Sequence, residues 1–303
     1  MKDRSLIKQF GYYLKYDLQF SSLLFDYKNM VQRYRKENKV LHALKEMGAS
    51  VIQARDLYMS LSKHNNKVCH IIGSGWSLNE SQNVIDKKKS YVIGLNYAAL
   101  SRLQFDLYFM EPDYCLPEVT NRYVNIIDDL VRLDKSSILM KNVYTCDGNK
   151  IGYLMDSYGN RVSFIHNVGI SIKNRNNMKY WSKKLLKQGK KSIKQYKSTV
   201  ITAIVIARNA GFKNIVMHGV DFGGKYFFDA EKYKHLRRYK PAKDEVYINH
   251  EETDSLLIHP TAKARGGIQY ILPVIKNKFN DEGISLYCAT HKSPSAKILP
   301  VYI

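Results

Sequence analysis

The chain has 303 residues, 45% of them apolar and 25% charged, and 48 Lys and Arg against 27 Asp and Glu give it a formal net charge of +21. These proportions exclude a disordered chain, a collagen and a Pro/Gly low-complexity sequence. The length suits one large domain, or one domain with an appendage, and is enough to bury a sizeable core.

No apolar run is long enough to cross a bilayer, since even the most apolar stretch, Val200–Ala207, contains Thr202. The opening Met1-Lys2-Asp3-Arg4-Ser5 lacks the apolar core of a signal peptide. Cys69, Cys115, Cys146 and Cys288 lie far apart with no CxxC pair, a spacing that suits neither a zinc site nor a disulfide scaffold. These features predict a protein of a reducing compartment, the bacterial cytoplasm.

In chain order, residues 1–66 are expected to form a helical extension, separate in character from residues 67–303. Leu6 to Phe25 is apolar and aromatic, and Val31 to Leu61 has the spacing of one or two amphipathic helices. These helices are expected to pack on the main domain or on a second copy of the chain, or else to lie on a membrane.

From 67 the pattern changes to short apolar runs. Val68–Ile72 reads as a strand ending in Gly73-Ser74-Gly75-Trp76-Ser77-Leu78, Tyr91–Leu95 as a second ending at Asn96, and Leu107–Met110 as a third ending at Glu111. Ser137–Met140 and Val162–Ile165 read as two more. Ser198-Thr199 caps a helix over Val200–Asn209 that Gly211 ends, and Ile215–Phe222 follows as a strand. Ala262–Lys278 reads as a helix containing Pro273, and Ile284–Cys288 as a last strand. Strands alternating with helices predict an α/β fold, a Rossmann-like parallel sheet flanked by helices.

Such sheets bind ligands at the C-terminal ends of their strands. The candidate site is therefore Gly73–Ser77, Asn96, Glu111 and the turn from Gly219 to Tyr226. Gly73-x-Gly75 after a strand suits close approach of backbone amides to a phosphate, although Leu78 replaces the third glycine of a dinucleotide fingerprint. No Asp-x-Asp and no His/Cys/Asp cluster with metal-ligand spacing occurs, so no metal site is expected. A nucleotide diphosphate leaving group usually needs a metal. A monophosphate sheds less charge, which Tyr, Lys and backbone amides can stabilise. The sequence holds no Gly-x-Ser-x-Gly and no P-loop. Among nine histidines, His259 stands out just before a helix.

The positive charge is concentrated. Ser171–Lys197 carries ten Lys or Arg and no Asp or Glu, and Lys232–Lys243 holds a second cluster. Both are expected to be solvated faces or contact surfaces for an anionic membrane or acceptor.

Taken in order, these residues resemble the bacterial sialyltransferases of glycosyltransferase family 42. Val68–Leu78 resembles the family's strand and Gly-x-Gly-x-Ser-Leu turn. Leu95-Asn96-Tyr97 falls at its Asn-Gln, and Phe109-Met110-Glu111-Pro112 at its Tyr-Asn-Pro. Ser198–Asp221 resembles its capped small-residue helix and the strand ending Gly-Ile-Asp-Phe. Tyr226-Phe227-Phe228-Asp229 resembles Tyr-Ala-Phe-Asp. His259 falls at Gly-His-Ser, and Leu286-Tyr287-Cys288 with Ser293 and Ser295 at Leu-Tyr-Cys and its following Ser.

The resemblance implies a metal-independent, inverting transferase without a cofactor, using a CMP-activated sugar acid as donor and a glycan or glycolipid as acceptor. It implies a lid over about 223–259. His259 would be the general base, and Tyr226 would bond the departing phosphate. Gly73, Ser74, Gly75, Ser77, Asn96, Glu111, Ser198, Thr199, Gly219 and Asp221 would line the donor site. The chain departs from the pattern at Gly223 for a tyrosine, Glu111 for an asparagine, Tyr196 for an arginine and Val200 for a glycine. A carboxylate at 111 should repel an anionic donor unless a Lys or Arg pairs with it. A homo-oligomer and peripheral contact with the anionic inner membrane through the basic stretches are expected. The alternatives are a metal-using nucleotide enzyme on a related core and a basic non-enzymatic protein that binds nucleic acid or anionic lipid.

Overall fold

A computed structural model of the chain describes residues 28, 31–111, 125–128, 137–141, 148–170, 178–196, 198–239 and 267–303. His259, Cys115, Cys146, most of the first 30 residues and the later half of the expected lid lie outside them.

The strands are β1 Ser50–Ile52, β2 Val68–Ile72, β3 Ser90–Leu95, β4 Leu107–Met110, β5 Ser137–Met140, β6 Val162–Ile165, β7 Asn167–Ile170, β8 Ile193–Tyr196, β9 Asn214–His218 and β10 Ser285–Cys288. Eight form one sheet in the order β1-β6-β5-β4-β3-β2-β9-β10, while β7 and β8 form a separate pair. Every pairing is parallel. Helices cover both faces of such a sheet, so its central strands read as continuous apolar runs. That is why β2 to β6 were legible where they lie, and why all six residues of β3 are buried.

The helices are α1 (residues 31–46), α2 (Ala54–Ser62), α3 (Leu78–Ser81), α4 (Gly148–Tyr158), α5 (Met178–Leu186), α6 (Thr199–Asn209) and α7 (Ile268–Asp281). The sequence at α6 is apolar on every side, which requires burial all round. It is buried at Ile201 to Ala207 without interruption. The Ser198 hydroxyl accepts from the Val200 amide at 3.2 Å, the cap read from the sequence. Arg208 clamps α6 to the end of α7 with Nε and Nη2 at 2.8 and 2.9 Å from the Glu282 carboxylate.

The expected break at 67 does not coincide with a break in the core. Val51 and Ile52, read as helix, are strand residues paired with Phe164 and Ile165. Ala54, Leu57, Tyr58 and Leu61 of α2 belong to the same apolar cluster as α6 and α7, and Leu41 and Leu44 of α1 pack into the cluster on the other face. The strand expected to reach Phe222 ends at His218, because Gly219 turns the chain at φ +58°. The expected lid begins as packed structure: Phe227 and Phe228 are fully buried, and Leu236 and Tyr239 join them in the core.

Candidate donor site at a topological switch point

From β2 the chain steps outward through β3, β4, β5 and β6, then returns to lay β9 on the other side of β2. The strand order reverses between β2 and β9, and a crevice opens beyond the carboxyl ends at such a reversal. The residues following these ends are Gly73 and Gly219.

The two ends are packed backbone to backbone. Gly73 N–H donates to the His218 carbonyl, and Gly75 N–H to that of Gly219, both at 2.8 Å. A Cβ on Gly73 would meet the Gly219 carbonyl oxygen at 2.5 Å, and one on Gly75 would meet Asp221 Oδ2 at 2.4 Å. This corrects the phosphate-cradle reading of Gly73-x-Gly75. The glycines are required by the approach of the two strand ends, and their amides are consumed by it. The Ser74 amide alone in this turn has no protein partner among the described residues.

Asp221 ties the turn to its neighbours. Its Oδ2 accepts from Ser77 N–H at 2.8 Å, and its Oδ1 accepts from Ser77 Oγ at 2.5 Å and Ser293 Oγ at 2.9 Å. The loops after β2, β9 and β10 thus meet on one carboxylate. Burial pushes the Asp221 carboxyl up despite these bonds. Ser77 and Asp221, read as donor contacts, spend these polar atoms on each other.

Beside the switch point, His70 and His218 form a buried pair that no motif marked. His70 Nδ1 and His218 Nε2 are 2.8 Å apart, and His218 Nδ1 is 3.1 Å from Ser81 Oγ. The Ser81 hydroxyl donates to the Ser77 carbonyl, so it accepts from His218 Nδ1–H, and His70 Nδ1–H donates to His218 Nε2. Burial lowers His70 to about 4 and His218 to about 3.

Tyr226 crosses over the glycine turn. It forms an antiparallel bridge with Gly75, and the flanking Phe227 N–H donates to the Ser74 carbonyl at 3.0 Å. Its ring stacks on Phe228 at 4.9 Å and meets the Tyr97 ring edge-on at 5.6 Å. Tyr97 follows Asn96, so Tyr226 stands between the ends of β2 and β3. Gly223 and Gly224 have φ of +148° and +81°, and this backbone explains glycine at 223, where the resemblance placed a tyrosine.

Farther along the same edge, Glu111 at the end of β4 gathers a second cluster. Its Oε2 accepts from Lys141 Nζ at 2.5 Å and Thr199 Oγ1 at 2.7 Å, and its Oε1 from Gln195 Nε2 at 3.0 Å. Its amide donates to Asn96 Oδ1 at 3.2 Å. Asn96 is left-handed at φ +47°, a conformation asparagine tolerates, and its carbonyl accepts from Tyr108 OH. Burial alone would raise the Glu111 carboxyl. The Lys141 charge and the bonds from Lys141, Thr199 and Gln195 outweigh it and hold Glu111 below its usual range. The condition set by the sequence, a cation beside position 111, is met by Lys141.

The fold thus brings eleven of the twelve predicted site residues to the strand-end edge in two clusters. Gly73–Ser77, Gly219, Asp221 and Tyr226 surround the switch point, while Asn96, Glu111 and Thr199 converge beside it with Ser198 capping α6. Of the twelve, His259 alone lies outside the described residues. Sequence reasoning missed Lys141 and Gln195, which sit in stretches with no motif, and the His70–His218 pair. Among the described residues, no three His, Cys, Asp or Glu side chains are grouped to hold a metal, and no helix is long and apolar enough to cross a membrane. Cys69 and Cys288 are free thiols.

No protein-family model and no curated protein matches the chain. Among solved structures, the chain is similar to the sialyltransferase CstII from Campylobacter jejuni in complex with the substrate analogue CMP-3FNeuAc, with 15% identity and a TM-score of 0.45 over 78% of this chain and 86% of that one. It is also similar to the monofunctional alpha-2,3-sialyltransferase Cst-I from Campylobacter jejuni, with 14% identity and a TM-score of 0.47 over 79% of this chain and 81% of that one.

Proposed function

We propose that the chain is an inverting, metal-independent glycosyltransferase that moves a sialic-acid-like sugar from a CMP donor to a surface glycan, in lipooligosaccharide or capsule. What supports this reading is one observation above the others. Residues drawn from blocks scattered between Val68 and Ser293 meet at the switch point, and Tyr226 is bridged to Gly75 there. The ordered motif resemblance supplies the donor class.

In this reading Tyr226 OH and the Ser74 amide face the phosphate that departs as CMP. The bond from the anomeric carbon to the phosphate oxygen breaks, and its electron pair leaves with CMP. The acceptor oxygen bonds to the opposite face of that carbon, and His259 takes the acceptor's proton. A positioned base of this kind contributes about 10²–10⁴-fold. Oligomerisation and contact with an anionic membrane belong to the same reading.

A thermal-shift series with CMP, UDP, GDP and ADP, with and without Mg²⁺, tests the class, because a ligand selective for the native state raises Tm. Selective stabilisation by CMP that needs no Mg²⁺ is expected. Stabilisation by a diphosphate only with Mg²⁺ would overturn it. His259→Ala should abolish transfer while CMP binding persists, and retained turnover would remove His259 from its role.

A further inference from the structure

The Glu111 cluster has a charge logic of its own. The Thr199 hydroxyl at the start of α6, the Lys141 ammonium and the Gln195 amide are groups an anionic substrate would recruit here. All three converge on the protein's own carboxylate. The Lys141 side chain is fully buried, whereas a quarter of the Glu111 side-chain surface is exposed. Burial pulls the Lys141 ammonium below its usual range, and Glu111 first, then Glu37, buried on α1, oppose that shift and favour the charged form.

We infer that Lys141 is a specificity-determining residue that neutralises Glu111, so that the end of β4 offers an anionic nucleotide a hydrogen-bond acceptor instead of a repelling charge. The inference deepens the proposed function and rests on its placing of a nucleotide in this crevice. Glu111 then receives an O–H or N–H of the substrate, and the phosphate lies at the glycine turn. Two strand spacings separate the ends of β4 and β2, roughly 10 Å. Over that distance an uncompensated carboxylate weakens binding of a unit negative charge by about tenfold at an effective dielectric near 20.

The experiment titrates CMP and its uncharged counterpart cytidine into the wild type, Lys141→Met, Glu111→Gln and the double variant by calorimetry, with Tm recorded for each. Lys141→Met should weaken CMP by about tenfold or more and leave cytidine within about twofold. The double variant should return CMP to within about threefold of the wild type. A merely structural role for Lys141 would move both ligands together, and that result overturns the inference, as does a double variant no better than Lys141→Met. Should Lys141→Met fail to fold, Glu111→Gln decides: CMP should tighten severalfold while cytidine stays unchanged, and unchanged CMP affinity overturns the inference. If the wild type ignores CMP and binds another nucleotide, the proposed function fails. The same comparison, run with that nucleotide and its nucleoside, still tests Lys141.

Discussion

Ser77 and Asp221, 144 residues apart in the chain, are joined by two hydrogen bonds to one carboxylate, from the Ser77 amide at 2.8 Å and from its hydroxyl at 2.5 Å. This pair holds the loop after β2 against the loop after β9, and Ser293 adds the loop after β10. Asp221→Ala strands the buried Ser77 amide and hydroxyl, while Ser293 Oγ keeps Val220 O and Ser295 Oγ within reach, so a loss of about 1–3 kcal/mol is expected in urea unfolding. Retention of full stability would mean that the loops are held by other contacts.

The two buried histidines make stability depend on pH. Their folded values, about 4 and about 3, lie below the ordinary 6.5. The unfolded chain therefore binds more protons between these limits. Stability is fully present above about pH 6.5 and falls as pH drops toward 4. Each proton contributes a slope of about 1.4 kcal/mol per pH unit. His166, also held down by burial, adds to the slope. Urea midpoints between pH 7 and 4.5 should show it, and His70→Gln should remove about one proton's share.

Tyr226→Phe keeps the ring that stacks on Phe228 and removes the hydroxyl. If that hydroxyl bonds the departing phosphate, kcat should fall by about 10²–10³, as for loss of an oxyanion donor, with Tm nearly unchanged. Unaltered kcat would assign phosphate binding to another group.

The basic stretch between 183 and 194 is exposed at Lys183, Lys187, Lys190 and Lys191, and none of these four has an ion-pair partner among the described residues. Burial and the like charges of Lys187 and Lys184 lower Lys194 to about 8. The Arg55 amide donates to the Lys190 carbonyl, which places this turn beside the start of α2, after the carboxyl end of β1. The basic turn therefore lies on the same edge of the sheet as the crevice. Co-sedimentation with phosphatidylglycerol vesicles is expected to exceed that with phosphatidylcholine, to weaken with salt, and to be lost on changing the four lysines to Glu. Equal sedimentation with both lipids would refute the contact.

The sequence by itself determined the α/β class, the places of β2 to β6 and the cap of α6. Parallel strands buried on both faces must be apolar throughout, and a helix start needs an oxygen at its N-cap. Order along the chain also sufficed to bring the expected site residues to the strand ends. It did not show β1, whose Val51 and Ile52 fall at helical spacing, or β8, where Lys194 and Gln195 break the apolar run.

Tertiary structure alone decided what the side chains do. Lys141 follows β5 in a stretch with no motif, and only the adjacency of β4 and β5 sets it against Glu111. Gly73 and Gly75 read as a phosphate turn, and only the crossover that lays β9 beside β2 turns them into backbone contacts. Local pattern records burial and chain direction, whereas the partner of a charge or an amide is fixed by crossovers that join residues far apart in the chain.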